Sequence, residues 1–359
     1  MPLEWGDLRL YMGPQELGGP DDLESPIVEF IEQARKRLDV AIQELESEPI
    51  ARALVKAAHN GVSVRLVLEG DYLIEREDLD DVFVQCGKKE QNRSMLNALH
   101  RAGINAKLDY NPRIFHQKFM VRDRSAVLTG STNFTPTGTR KNLNHLVTIQ
   151  DEKVAREYAT EFREIWSGAF GKRHFKSRKA PKEVDVSGVR VKVLFAPDHS
   201  PEMEIMKQML KARERIDFAI FTFSKSSGID DAMIARRLGG VPIRGVFDAG
   251  QGNQYWAASK GLAKSGVEVY LARKGRGWSP GRLGKLHHKL MVIDDSVIIA
   301  GSFNYTKPAN TLNDENIIII GDLEEGKVAS RDAQASLCRY ARKEIDRIID
   351  KHGHKLTGG

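Results

Sequence analysis

At 359 residues, 41% of them apolar and 29% charged, the chain has room for two ordinary domains and a substantial buried core. The formal net charge of +6 is a mild basic excess that favours polyanionic partners without specifying one. Two distant cysteines, Cys86 and Cys338, exclude a disulfide framework and a four-cysteine zinc site, and they read as reduced, partly buried thiols. No run is long and apolar enough to cross a bilayer. The opening MPLEWGDLRLYMGPQELGG lacks the basic and apolar regions of a signal peptide, so the expected location is cytoplasmic.

Taken in order, the chain writes one set of elements twice. A short strand ending near a proline (residues 8–14; 191–197) is followed by a helix opened by Ser-Pro (25–38; 200–216). An apolar strand (38–42; 216–223), a helical stretch (49–60; 228–238) and a second strand (62–70; 241–250) come next. A helix then ends in a turn glycine ahead of another strand (98–108; 261–272). Each half closes with a helix, at 154–166 and at 328–350. Such a pattern is an internal duplication of a β/α unit, and alternating strands and helices predict an α/β fold with mixed sheets flanked by helices. The boundaries read as 1–170 for the first repeat, 171–187 for a basic linker and 188–359 for the second repeat. GKRHFKSRKAPK (171–182) reads as an exposed linker, with a nucleic-acid contact as the alternative. Residues 73–97, with the acidic run EREDLDD, read as a surface insertion in the first half.

The strongest repeat is FHQKFMVRDRSAVLTGSTN (115–133) and its echo LHHKLMVIDDSVIIAGSFN (286–304). His116, Lys118, Asp123, Ser131 and Asn133 recur as His287, Lys289, Asp294, Ser302 and Asn304. Residues two apart on a strand share a face, so each His projects beside its Lys, while Gln117 and His288 face the other way as packing or hydrogen-bonding residues. An imidazole beside an ammonium is a poor structural core and a good phosphate site. The lysines supply charge, the imidazoles a nucleophile and an acid, and the Ser and Asn side chains donors. Asp123 and Asp294 end the motif strands, where fixing the turn and direct participation are both open.

The paired HxKx4D and GSxN motifs resemble the phospholipase D superfamily, and the compact bacterial nuclease branch in particular. The similarity between the repeats covers roughly 8–166 and 191–350. The resemblance implies a two-sheet core with pseudo-two-fold symmetry and one site where the repeats meet. It further implies metal-independent phosphodiester cleavage through a covalent phosphohistidine, with no cofactor. One of His116 and His287 would attack phosphorus, the reading here being His116, and the other would protonate the leaving oxygen. Lys118, Lys289, Asn133 and Asn304 would hold the phosphate, with Ser131 and Ser302 in support. Glu315 matches the family's carboxylate that orients the opposite His. Asn144 stands at its first-repeat equivalent and departs from the acidic pattern, which makes the two histidines unequal.

The substrate has to be read from the surroundings. RKGRGWSPGRLGK (273–285) carries Arg276, Arg282 and Trp278 without an acid, and Arg113 precedes the first motif. Basic groups beside aromatic ones favour a nucleic-acid strand, DNA first and RNA not excluded, although ordinary packing of Trp278 is nearly as good a reading. A soluble phospholipase D or transphosphatidylase is the alternative within the same chemistry, and a partner-regulated nucleic-acid-binding module is the alternative from another class. Two motifs in one chain let a monomer complete the site and leave a homodimer open.

Overall fold

The computed structural model of the chain describes residues 2–74, 87–172, 179–273 and 281–357. The first repeat runs β1 (Leu3–Trp5), β2 (Leu8–Gly13), α1 (Glu24–Glu32), β3 (Arg37–Ile42), α2 (Glu48–His59), β4 (Ser63–Leu68) and α3 (Glu90–Arg101). It continues with β5 (Asn105–Leu108), β6 (Lys118–Arg122), β7 (Ala126–Gly130), α4 (Pro136–Arg140), β8 (Asn142–Ile149) and α5 (Glu152–Trp166). The second begins β9 (Val184–Val186), β10 (Val189–Ala196), α6 (Pro201–Lys211), β11 (Ile216–Ile220), α7 (Ile229–Leu238), β12 (Ile243–Asp248), α8 (Ala249–Gly252) and α9 (Ser259–Lys264). It ends β13 (Glu268–Ala272), β14 (Lys285–Leu286), β15 (Lys289–Ile293), β16 (Val297–Gly301), α10 (Lys307–Thr311), β17 (Glu315–Gly321), α11 (Val328–His352) and β18 (Gly353–Lys355).

Among the described residues the strands form two nine-stranded mixed sheets with the same internal order. One runs β1-β2-β8-β7-β6-β3-β4-β5 and the other β9-β10-β17-β16-β15-β11-β12-β13, with β18 added at its edge. β3-β4-β5 and β11-β12-β13 are parallel, as strands joined through helices must be, and the motif strands are antiparallel hairpins. The ninth strand of the first sheet is β14, which leaves its own repeat to lie parallel to β8.

Burial sorts the layers. One apolar cluster joins the inner faces of both sheets, including Phe119, Val127, Phe195 and Ile298, to Tyr158 and Phe162 of α5 and Leu337 and Ile345 of α11. Two outer clusters seat α1 and α2 on the first sheet and α6, α7 and α9 on the second. The repeats therefore share one core and are not independent beads. The inner residues β3 (LDVAI) and β11 (IDFAI) are buried throughout, as strands covered on both faces should be.

Several expectations shift. Ser25 lies inside α1, whose first amides, Glu24 and Ser25, are taken by the Asp22 carboxylate at 3.0 Å each. Ser200 sits at the α6 N-cap position in a left-handed conformation and makes no side-chain cap. Part of the segment read as linker is strand β9, paired with β10. The helix before β5 spans Glu90–Arg101 and so takes up much of the segment read as an insertion, whose acidic run lies outside the described residues.

Candidate active site

Each motif strand begins at its lysine, and the segment just ahead of it is borrowed by the other repeat. His116 N–H donates to the Asp314 carbonyl at 2.9 Å, and His287 N–H donates to the Leu143 carbonyl at 2.9 Å. β14 and the Phe115–Asp314 bridge are the two halves of this exchange. Both histidines are thus fixed at the seam by backbone bonds, with ring centroids 6.5 Å apart. Lys118 Nζ donates to the His116 carbonyl (2.9 Å) and to Gln43 Oε1 (3.0 Å). Lys289 Nζ donates to the His287 carbonyl (3.0 Å), stands 3.1 Å from His287 Nε2, and lies 5.3 Å from the centre of the Phe221 ring.

Behind each ring stands a residue from the opposite repeat. Glu315 Oε2 lies 2.7 Å from His116 Nδ1 and accepts the Ser302 hydroxyl at 2.7 Å. Asn144 Oδ1 lies 2.9 Å from His287 Nδ1 and accepts the Ser131 hydroxyl at 2.8 Å. Ser131 and Ser302 sit where the turn glycines let the chain pass. A Cβ on Gly130 would stand 2.3 Å from the His145 carbonyl oxygen, and one on Gly301 would stand 2.4 Å from that of Asn316.

The rings open onto a cleft of about 630 Å³ lined by both repeats. Asn133 and Asn304 line it, and the Oδ1 of each is buried without a hydrogen-bond partner. Arg113 and Lys285 stand on its rim side, while Glu44, Glu46 and Asp71 give it an acidic wall in the first repeat. The carboxylates that stand close enough together to share a cation, Glu161, Glu164 and Asp198, do not line the cleft.

Electrostatically the cleft asks for an anion. Burial, and then the neighbouring lysines, hold His116 and His287 well below the usual imidazole range. Burial brings Lys118 down to about 7, and burial with Lys118 beside it lowers Lys289 well below an ordinary lysine. Burial raises Glu315 to about 8 despite the lysines, so it holds a proton more readily than a surface carboxylate. An anion among these groups relieves both desolvation and like-charge repulsion.

Three expectations need correction. Asp123 and Asp294 do not reach the cleft. They end β6 and β15, about 16 Å along the strand from the histidines at strand rise. Their carboxylates clamp backbone amides instead: Asp123 those of Arg35, Lys36 and Arg37 at 2.7–2.9 Å, Asp294 those of Glu214 and Arg215 at 2.8 and 2.9 Å and of Arg213 at 3.0 Å. Both have φ of 51°, which Asp tolerates at a turn. Ser131, Ser302 and Asn144 are fully buried and engage the machinery behind the rings, so they position the histidines and do not line the cleft. Arg282 is exposed and is not among the lining residues, whereas Arg276 and Trp278 lie outside the described residues.

Gln43 and Phe221 were missed. They occupy equivalent places, one residue past β3 and β11, and carry different partners for the two lysines. Glu44 and Lys285 were likewise invisible, because nothing in their local pattern separates a cleft wall from an ordinary loop.

Residues 27–166 and 205–335, the greater part of the chain, match the family described as "Cardiolipin synthase, PLD-like domain". The chain is 29% identical over 133 residues to human mitochondrial cardiolipin hydrolase, which covers 37% of this chain and 46% of that protein. It is 31% identical over 132 residues to a phospholipase D of Rickettsia prowazekii, covering 37% of this chain and 57% of the relative. The chain thus aligns with about half the length of these relatives. The crystal structure of Haemophilus influenzae phosphatidylserine synthase superposes with a TM-score of 0.65 at 14% identity, covering 99% of this chain and 89% of that one. That likeness extends the shared fold to the whole two-repeat arrangement. With its duplicated motifs, shared core and crossed seam, the chain belongs to the phospholipase D superfamily.

Proposed function

We propose that the protein is a phosphodiesterase that cleaves nucleic-acid strands through a phosphohistidine on His116. The observation that carries the chemistry is the convergence of His116, Lys118, His287 and Lys289 on one cleft, each with its proton affinity lowered by burial and by its neighbours. A phosphodiester anion supplies the missing charge.

The backing residues assign the roles. A carboxylate behind Nδ1–H makes the far nitrogen a better nucleophile and stabilises the positive charge on a phosphoimidazole. Glu315 therefore favours attack by His116 Nε2 on phosphorus. An amide leaves an imidazolium more acidic, which suits His287, backed by Asn144, for giving its proton to the departing oxygen. The P–O bond breaks as the P–N bond forms. His287 then takes a proton from water, the resulting hydroxide attacks phosphorus, and the P–N bond breaks to release a phosphomonoester and restore His116. Lys118 and Lys289 balance the equatorial charge, and Asn133 and Asn304 hold the oxygens through their amide groups.

The nucleic-acid reading rests on the rim. Arg113 and Lys285 line the cleft, Arg282 is exposed beside them in sequence, and Tyr110, 87% exposed, stands two residues before Pro112 as a stacking surface. A phospholipid substrate is the second reading. The acidic wall of Glu44, Glu46 and Asp71 disfavours a polyanion on that side, and the curated relatives are named as a cardiolipin hydrolase and a phospholipase D. Plasmid, single-stranded oligonucleotide and vesicles of phosphatidylcholine or cardiolipin, each incubated with the protein in excess EDTA, separate the readings. Strand cleavage that disappears in His116→Ala and His287→Ala supports the first. Head-group release with intact DNA overturns it.

A further inference from the structure

Behind the Asn144 arm lie two histidines that the proposed chemistry does not use. His145, on β8, and His288, between His287 and Lys289, are completely buried. Their rings stack with centroids 5.4 Å apart and planes at 5°, and their Nδ1 atoms are 3.1 Å apart. The equivalent residues of the other arm are amides: Asn316 Nδ2 donates to Gln117 Oε1 at 2.7 Å. One arm thus has a carboxylate backed by an amide pair, and the other an amide backed by an imidazole pair.

We propose that His145 and His288 form a tautomer lock that fixes the proton on Nδ1 of His287. The inference rests on the proposed role of His287 as the acid, and it concerns positioning residues only.

The proton positions follow from the partners in turn. Gly301 N–H donates to His145 Nε2 at 3.1 Å, so that nitrogen is an acceptor and the ring carries its proton on Nδ1. Burial holds both rings neutral, so each has one proton to place. The His145 Nδ1–H then points to His288 Nδ1, which puts the His288 proton on Nε2, 3.5 Å from the Glu344 carboxylate. Burial works against the charge of Glu344, but its bonds from Arg347 and His288 outweigh that and keep it ionised. With His145 Nδ1 protonated, Ser131 cannot donate to it at 3.3 Å. The Ser131 oxygen accepts the His145 backbone N–H at 3.1 Å, and its hydroxyl proton is left for Asn144 Oδ1.

Asn144 Nδ2 donates to the Gly138 carbonyl at 2.8 Å, so the amide presents only its oxygen to His287. His287 must answer with Nδ1–H, and its Nε2 is the atom left to handle the proton of the reaction. The difference between the arms explains why only one needs this device. A carboxylate accepts from either oxygen and needs no orientation, whereas an amide can present a donor instead. Glu315 requires no lock; Asn144 does.

The test is the double variant H145N/H288Q, which imports the amide pair that already folds in the other arm. Histidine side-chain nitrogen-15 NMR on the full chain, with the His287 signal identified by its loss in His287→Ala, reads the tautomer directly. The expected result is a folded protein in which His287 loses its uniform Nδ1–H signature. With a diester substrate, kcat should fall about tenfold at unchanged KM, the equivalent of one mis-set hydrogen bond. Adding N144D supplies an acceptor that cannot be mis-set, and it should restore the Nδ1–H signature. An unchanged His287 signature in H145N/H288Q, or no recovery on adding N144D, overturns the lock. The NMR needs no substrate, so a protein that hydrolyses none of the diesters but shows these shifts refutes the functional reading and leaves the lock standing.

Discussion

Replacing Glu315 by Gln isolates the charge behind His116. The side chain keeps its shape and can still accept the Ser302 hydroxyl and the His116 Nδ1–H, which now stand 2.7 Å from the same oxygen. What disappears is the difference between a charge-assisted and a neutral hydrogen bond to a ring that becomes positive as it is phosphorylated. Such bonds are worth about 1.5–3 kcal/mol against about 1 for neutral ones, so attack should slow about 3- to 30-fold. The loss also depends on pH. Because Glu315 is held up to about 8, the free wild-type enzyme carries much of it protonated at pH 6, where the variant differs little from it. Above pH 8 the carboxylate is ionised and the full loss appears.

Single-turnover kinetics on an activated diester such as bis(4-nitrophenyl) phosphate measure this, because its leaving group needs little acid help and the burst reports attack alone. The wild-type to Glu315→Gln burst-rate ratio should climb between pH 6 and 9. A flat ratio near one means that Glu315 does not back the nucleophile. A larger burst loss in Asn144→Ala than in Glu315→Gln would move the nucleophile to His287.

Three further outcomes follow from the same geometry. With the activated diester, His287→Ala should form a phosphoenzyme that accumulates, detected as acid-labile phosphate on the intact protein, whereas His116→Ala should form none; the reverse pattern refutes the assignment. Asp123→Ala and Asp294→Ala each leave three backbone amides without their acceptor, so each should lose about 2 kcal/mol and a few degrees of Tm while activity per folded molecule stays within twofold; a catalytic collapse in a stable variant would restore them to the chemistry. Glu69, which takes the Phe115 amide ahead of His116, is raised by burial and by Asp109 to about 8 from an ordinary 4.5. A raised carboxyl binds more protons folded than unfolded, so its contribution to stability falls as pH rises from about 4.5 to about 8. The Tm of wild type minus that of Glu69→Gln should therefore drop across that window, and a pH-independent difference would show that Glu69 titrates normally.

Much of the site was legible because duplication doubles every signal. His116 and His287, with their lysines, were marked by residue type at period two on an apolar strand, and Glu315 by its place after the second turn. The sheet order was not legible: nothing in Lys285–Leu286 shows that β14 crosses to β8, since strand exchange between repeats is decided by tertiary pairing and not by local propensity. The clamping role of Asp123 was equally hidden, because its partners, Arg35 to Arg37, lie more than eighty residues away and contribute only backbone amides. Backbone partners leave no side-chain signature. Gln43 and Phe221 escaped for a related reason, since a residue just beyond a strand is read as loop until the lysine it touches is known.

The two arms show what a duplicated site gains by diverging. With identical arms, both rings would meet the same backing group and share the same proton affinity, and nothing would favour one as nucleophile and the other as acid. A carboxylate on one side and an amide on the other separates them with a single change, from Glu315 to its counterpart Asn144. That change creates a second requirement, because an amide must be oriented while a carboxylate need not be. The imidazole pair His145–His288 stands where the carboxylate arm has Asn316–Gln117, one layer further from the cleft. Divergence in the layer touching the catalytic rings thus accounts for divergence in the layer behind it, and the differences between the repeats fall where an asymmetric reaction needs them.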